Sequence, residues 1–187
     1  MKKLTVLLSA AALLFSMAAF SQSADKYISS KSHIKFFSTT PVEDIEANNY
    51  ASVSTINPKT GDVVFSVPMQ SFEFEKALMQ KHYNSAKFLD TQKFPKAKYK
   101  GKITNLSDIN FDKDGTYQAV IEGEMTIKGE TEPSKQTGTI TVTGGEIHVT
   151  AKTTITLADF GVGFEKGKPA KNIAKTIDVT VDAKYKK

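Results

Sequence analysis

The sequence predicts an all-β fold: eight antiparallel strands in a sheet that closes on itself or packs against a second sheet, with one helix between the third and fourth strands. Three observations predict it. Long stretches alternate strictly between apolar and polar residues, as strands do when they bury one face and wet the other. In one of them Tyr117, Ala119, Ile121, Gly123, Met125 and Ile127 share a parity, while Gln118, Glu122, Glu124 and Thr126 take the other. The same period returns in Ile147, Val149, Ala151, Thr153, Ile155 and Leu157, in Ile177, Val179, Val181, Ala183 and Tyr185, and in Val63, Phe65, Val67 and Met69. Turn-forming residues separate these ladders, and a single segment carries helical spacing instead.

Taken in order, Met1-Lys2-Lys3 is a short basic start and residues 4–20 are almost wholly apolar or small, which reads as a secretory signal peptide over 1–21, cleaved after Ser21 or Ser23. The apolar run is at the short end for a membrane anchor, and no cysteine follows it to carry a lipid. Residues 22–187 show no repeat, low-complexity tract or linker and read as one domain. Strands are expected at 32–39, 50–56, 61–69, 97–105, 116–127, 135–143, 146–157 and 174–185. Asn57-Pro58-Lys59-Thr60-Gly61, Asp112-Lys113-Asp114-Gly115 and Gly144-Gly145 supply turns, the last leaving room only for a tight hairpin. Glu43-Asp44-Ile45-Glu46 reads as a loop or short helical turn. Between 75 and 89, Ala77, Leu78, Met79, Tyr83, Ala86, Phe88 and Leu89 fall at helical spacing, and Pro95 bounds the helix. Such a helix suits a lid at a barrel end or a cover over a sheet edge.

Eight strands make a barrel that its own side chains fill or that holds one small ligand. Ala119, Gly123, Ala151 and Thr153 place small groups along the inner ladders, which favours a narrow, elongated cavity. The alternative is a solid core in which Phe36, Phe65 and Tyr99 fill the gaps.

Composition narrows the function. The chain has 187 residues and no cysteine, so burial and backbone pairing must stabilise it without disulfides. Its net charge of +5 falls to +3 once Lys2 and Lys3 are removed, and it contains no arginine, which argues against a nucleic-acid surface. His33, His82 and His148 are scattered without metal-binding spacing; His148 falls on the polar parity of its strand and should be solvated, while His33 and His82 are placed where they could serve a site but read first as surface or satisfied structural histidines, since no local pattern supplies partners. Glu122 and Glu124 share the outward parity, so they do not form a facing carboxylate pair. Neither a Gly-x-Ser-x-Gly elbow nor a phosphate-cradling glycine loop is present. The segment Leu157-Ala158-Asp159-Phe160-Gly161-Val162-Gly163-Phe164 ends a strong ladder, and its two phenylalanines can close one mouth of a barrel, with Asp159 capping backbone amides.

Several segments, in their order, are similar to the YceI-like family. They are Ser32-His33-Ile34-Lys35-Phe36, Phe88-Leu89-Asp90 leading to Phe94-Pro95-Lys96-Ala97-Lys98-Tyr99, Gly123-Glu124-Met125-Thr126-Ile127-Lys128-Gly129, and Ala158-Asp159-Phe160-Gly161-Val162. The resemblance spans the expected mature chain and implies an extended, lipocalin-like eight-stranded barrel. It also implies a periplasmic carrier that holds a polyisoprenoid chain, such as an isoprenoid quinone tail, in an apolar tunnel. Two departures stand out: Glu130-Thr131-Glu132-Pro133 follows Gly129 where the family usually has a small or aliphatic residue and threonine, and Ala158 stands where an arginine is frequent.

The expected ligand contacts are Ile34, Phe36, Phe65, Val67, Tyr99, Ile121, Met125, Ile140, Ile155 and Leu157 on the strands, Phe72, Leu78, Met79 and Tyr83 in and before the helix, and Phe160 and Phe164 after the seventh strand. No catalytic residue, metal site, covalent cofactor or nucleic-acid partner is expected. Expected partners are the lipid, a transient contact with a membrane or membrane protein, and a second copy in a homodimer. The rival readings are a small-molecule hydrolase using His33, His82 or Asp159 at a barrel mouth, and an envelope structural or interaction protein with a solid core.

Overall fold

The structure, a computed structural model, describes residues 26–41, 43–165, 168–169 and 173–186; the expected signal peptide and both cleavage positions lie outside the described residues. Strands β1 (Tyr27–Thr39), β2 (Asp44–Ile56) and β3 (Asp62–Pro68) are followed by a short β4 (Glu73–Phe74) and the helix α1 (Ala77–Asn84). Then come β5 (Lys96–Ile103), β6 (Gly115–Ile127), β7 (Glu130–Thr143) and β8 (Glu146–Thr156). A 3-10 turn (Leu157–Phe160), the small hairpin β9 (Phe164–Glu165) and β10 (Lys168–Pro169), and the final strand β11 (Thr176–Lys186) complete the chain.

Eight of these strands close into an antiparallel barrel in the order β1–β11–β8–β7–β6–β5–β3–β2, with β2 returning to β1 and β4 added outside β2. Closure joins the two ends of the chain: Ile34 lies opposite Val181 on β11 and, across the other edge, opposite Asn49 on β2. The ladders fall inward as their parity requires. Ala119 and Ile121 are buried while Gln118, Glu122 and Glu124 face water, and Ile147, Val149 and Ile155 are buried on β8.

Several strands are longer than expected. β1 begins at Tyr27, which pairs with Ile56 of β2; Ser29 and Ser32, buried at irregular pairings with β2, break the apolar rhythm of this first part. β2 begins at Asp44, so Glu43-Asp44-Ile45-Glu46 leads directly into a strand and forms no helical turn. β7 begins at Glu130. Lys128 (φ 52) and Gly129 (φ 90) make a two-residue turn with positive φ at both positions, the geometry that turns a hairpin most tightly. β7 pairs with β6 from Ile127–Glu130 onward, and Pro133, which has no N–H to donate, is tolerated because this half of β7 has a strand partner on one side only. The helix is shorter than expected, eight residues, and ends at Asn84.

The interior has two storeys. At the end of the barrel away from the helix, Ile109, Phe111, Ala119, Val142, Ile147, Ala183 and Tyr185 form a solid core. At the helix end, Ile34, Met69, Phe72, Tyr83, Leu89, Ile155, Phe160 and Val162 are buried around a hollow interior.

Candidate functional site

The hollow storey is a tunnel of about 1550 Å³, larger than the pockets that usually take drug-sized molecules. Its walls are the inward parity of the barrel: Ile34 and Phe36 from β1, Phe65 and Val67 from β3, Ala97 and Tyr99 from β5, Ile121, Met125 and Ile127 from β6, Ile140 from β7, Val149, Ala151, Thr153 and Ile155 from β8, and Ile177, Val179 and Val181 from β11. It ends blindly on Ile56, Val63, Ile103, Ile140 and Val149, which belong to the solid core beneath. A solid barrel is therefore excluded.

An aromatic cluster builds the other end. Tyr83 projects from α1 and stacks on Phe36 (6.0 Å between ring centres), with Phe74 at 4.9 Å, Phe72 at 5.7 Å and Phe88 at 6.4 Å. Among the described residues its hydroxyl reaches only the Met69 sulfur, at 3.9 Å, and burial drives its ionisation far above the ordinary tyrosine range. Of the two placements expected for the helix, it takes that of a lid at the mouth, while the short strand β4 beside it, not the helix, patches the β2 edge. Ser38, Glu43, His82, Ser85 and Lys87 form a polar rim, with Met79 beside them. Lys76 and Glu43 pair there at 2.7 Å.

Of the expected contacts, fourteen of the sixteen line the tunnel: Ile34, Phe36, Phe65, Val67, Phe72, Met79, Tyr83, Tyr99, Ile121, Met125, Ile140, Ile155, Leu157 and Phe160. Leu78 does not. It is 62% exposed, because the helix buries the side carrying Tyr83 and turns Leu78 to solvent. Phe164 lies in β9, and its side chain is outside the described residues. The small residues divide: Ala151 and Thr153 line the tunnel, whereas Ala119 is packed in the solid core. Gly123 opens no space. A Cβ there would lie 2.1 Å from the Lys100 carbonyl oxygen and 2.4 Å from Gly101 Cα, so this glycine allows β5 and β6 to touch. The Tyr99 ring folds over Gly101, and burial, with help from Glu122, pushes its ionisation up to about 12.

Sequence reasoning missed Phe74, Phe88 and Leu89 around the helix, and Ile45, which belonged to a strand start read as a loop. Ile177, Val179 and Val181 carried the right parity; extending the contact list to every inward ladder finds them.

The histidines do not make a catalytic site in the tunnel. His33 is on the outer face, 2.8 Å from the Asn48 side-chain oxygen and stacked on Tyr50. His148 lies on the outer face of β8, as its polar parity predicts, half-exposed and paired with Asp182 of β11 at 3.0 Å. His82 is at the rim, and among the described residues its ring has no hydrogen-bond partner. Asp159 is exposed on the 3-10 turn. Among the described residues no group of three acids, histidines or cysteines could hold a metal ion.

The chain matches the YceI-like domain family over residues 25–185. No curated protein matches it by sequence. Among solved structures it is similar to a polyisoprenoid-binding domain from Saccharophagus degradans (12% identity, 87% of this chain and 98% of that one, TM-score 0.72) and to BcnA of Burkholderia cenocepacia (16%, 82% and 95%, TM-score 0.67). It is likewise similar to the YceI protein of Campylobacter jejuni (14%, 80% and 89%, TM-score 0.62). At these identities the likeness establishes the shared barrel.

Proposed function

The chain belongs to the YceI-like domain family, and from that premise and the tunnel we propose that it is a lipid-binding protein that holds a polyisoprenoid chain, such as the tail of an isoprenoid quinone. The observation that carries this reading is the shape and lining of the tunnel: deep, closed at its floor and mostly apolar, with polar groups at its rim and, below it, at Lys98, Tyr99, Gln136 and Thr153. A tail of several isoprene units buries a few hundred square ångströms of apolar surface, and at about 25 cal/mol per Å² this gives several kcal/mol before association costs. No charged group is needed for that affinity. The similar domain from Saccharophagus degradans is a polyisoprenoid-binding domain, which supports the same ligand class here.

On this reading the protein binds and does not catalyse. It is exported by its N-terminal segment, works in the periplasm, and stores or transports its lipid between membranes or membrane proteins. To test it, the protein is purified from its own cells, extracted with organic solvent, and the extract examined by mass spectrometry. An isoprenoid lipid near one equivalent per chain is expected. Lipid-free extracts from repeated preparations, together with no uptake of added isoprenoid quinone, would overturn it.

A further inference from the structure

The barrel wall is not paired along its whole height. β7 and β8 pair from Thr143–Glu146 to Gly138–Ala151 and then part, although β7 continues through residues 130–137 and β8 through 152–156. Among the described residues, neither edge takes another strand along this stretch. The lips also turn away from each other chemically. Lys135 pairs with Glu122 on β6 at 2.8 Å, and Lys152 and Thr154 both bond Asp178 on β11. The Gln136 amide donates to Ser134 of its own strand at 2.6 Å. Among the described residues, no hydrogen bond or ion pair joins residues 130–137 of β7 to residues 152–156 of β8.

A second parting, between β2 and β3, shows what a closed one looks like. There β4 pairs with β2 through Ala47 and Phe74, and the Asn49 amide donates to the Pro68 carbonyl at 2.8 Å. At the β7–β8 parting the element that crosses, among the described residues, is the 3-10 turn Leu157–Phe160, which lies against β7 nearer the mouth. Lys128 ties it down by donating to the Gly161 carbonyl at 3.0 Å, and Phe160 is buried beneath it. Below this strap the tunnel wall is Gln136, Ala151 and Thr153. Gln136 and Thr153 would face each other had the ladder run two residues further. Apart from the rim, Lys98 and the Tyr99 hydroxyl, they are the tunnel's polar lining, as a wet opening requires.

We infer that the tunnel has a second, lateral entrance between β7 and β8 beneath this strap, and that a chain-like lipid loads through it. The inference rests on the lipid-binding reading above. Lateral loading lets a tail lie into the barrel from the side, where end-on loading would have to thread it past the aromatic cluster at the mouth. Pro133, with no donor, keeps the β7 lip from zipping onto β8.

The chain lacks cysteine, so a Gln136→Cys, Thr153→Cys protein can be bridged across the opening with a short bis-thiosulfonate reagent and compared with itself after reduction. The probe is an isoprenoid quinone with a four-unit tail, presented in phosphatidylcholine vesicles. The bridged form is expected to load at least tenfold more slowly than the reduced form, while Lys128→Ala, which frees the strap, loads several-fold faster than the natural protein. Equal loading rates for bridged and reduced protein would overturn the lateral entrance. No loading by the natural protein would instead overturn the lipid-binding reading. Should the cysteine pair fail to fold, hydrogen exchange on the natural protein decides: slow exchange at every amide of residues 152–156, matching that of 147–151, would close the entrance.

Discussion

Tyr185 places its hydroxyl 2.6 Å from Ser54, and Ser54 reaches Ser32 at 2.7 Å, a buried relay joining β11, β2 and β1. Burial, opposed in part by the Ser54 bond, pushes the Tyr185 ionisation up to about 12. A phenol held neutral in the folded state gives stability that is fully present below the ordinary tyrosine value near 10 and is lost as pH rises from there through 12. Urea unfolding should therefore lose stability across that window, and less steeply in Tyr185→Phe. That variant also leaves Ser54 one partner short, at a cost of about 1–2 kcal/mol at neutral pH. Gly123→Ala should cost about 3 kcal/mol, since its methyl would overlap the β5 backbone, and more than Gly138→Ala, whose nearest contact is 2.9 Å. At this scale the inward residues were legible and the buried polar ones were not. Parity placed Ile121 and Met125 correctly, but nothing local distinguishes Ser32 or Asn49, both fully buried, from a solvated polar residue.

The helix holds its place through one side chain. Tyr83→Ala should cost about 3–5 kcal/mol, because it empties the centre of a ring cluster made with Phe36, Phe72, Phe74 and Phe88. Tyr83→Phe should be close to neutral in thermal unfolding, since the hydroxyl's one partner is a thioether sulfur. A large loss from the phenylalanine variant would contradict that assignment. Periodicity found the helix because Met79 and Tyr83 share a face, yet it misjudged Leu78 on the border of that face. Strands with unbroken alternation, β6 and β8, were read nearly to the residue. The early parts of β1, β2 and β7 were not. Buried serines at irregular pairings, the Asn48-Asn49 pair and Pro133 each break the two-residue rhythm by which a strand is recognised.

Closure of the barrel is a property of the whole molecule. The pairing of β1 with β11 joins residues far apart in sequence, and no local pattern states it; the count of ladders and the family resemblance supplied it. The same holds for the hollow. Small inward residues suggested space, but part of that space is filled: Gly123 is pressed against β5 and Ala119 lies in the core, while the tunnel owes its volume to the lengths of β6, β8 and β11 above the Ile103–Ile140 floor. A tunnel with a floor makes a specific demand of its ligand. Affinity should depend on tail length until the tail reaches Ile56 and Val149, and then stop rising. The most direct test is a titration of the delipidated protein with isoprenoid quinones that share a headgroup and lengthen by one isoprene unit at a time. Binding of one molecule per chain, tightening about tenfold or more with each added unit and then levelling, is the predicted result. Affinity that is independent of tail length would contradict it.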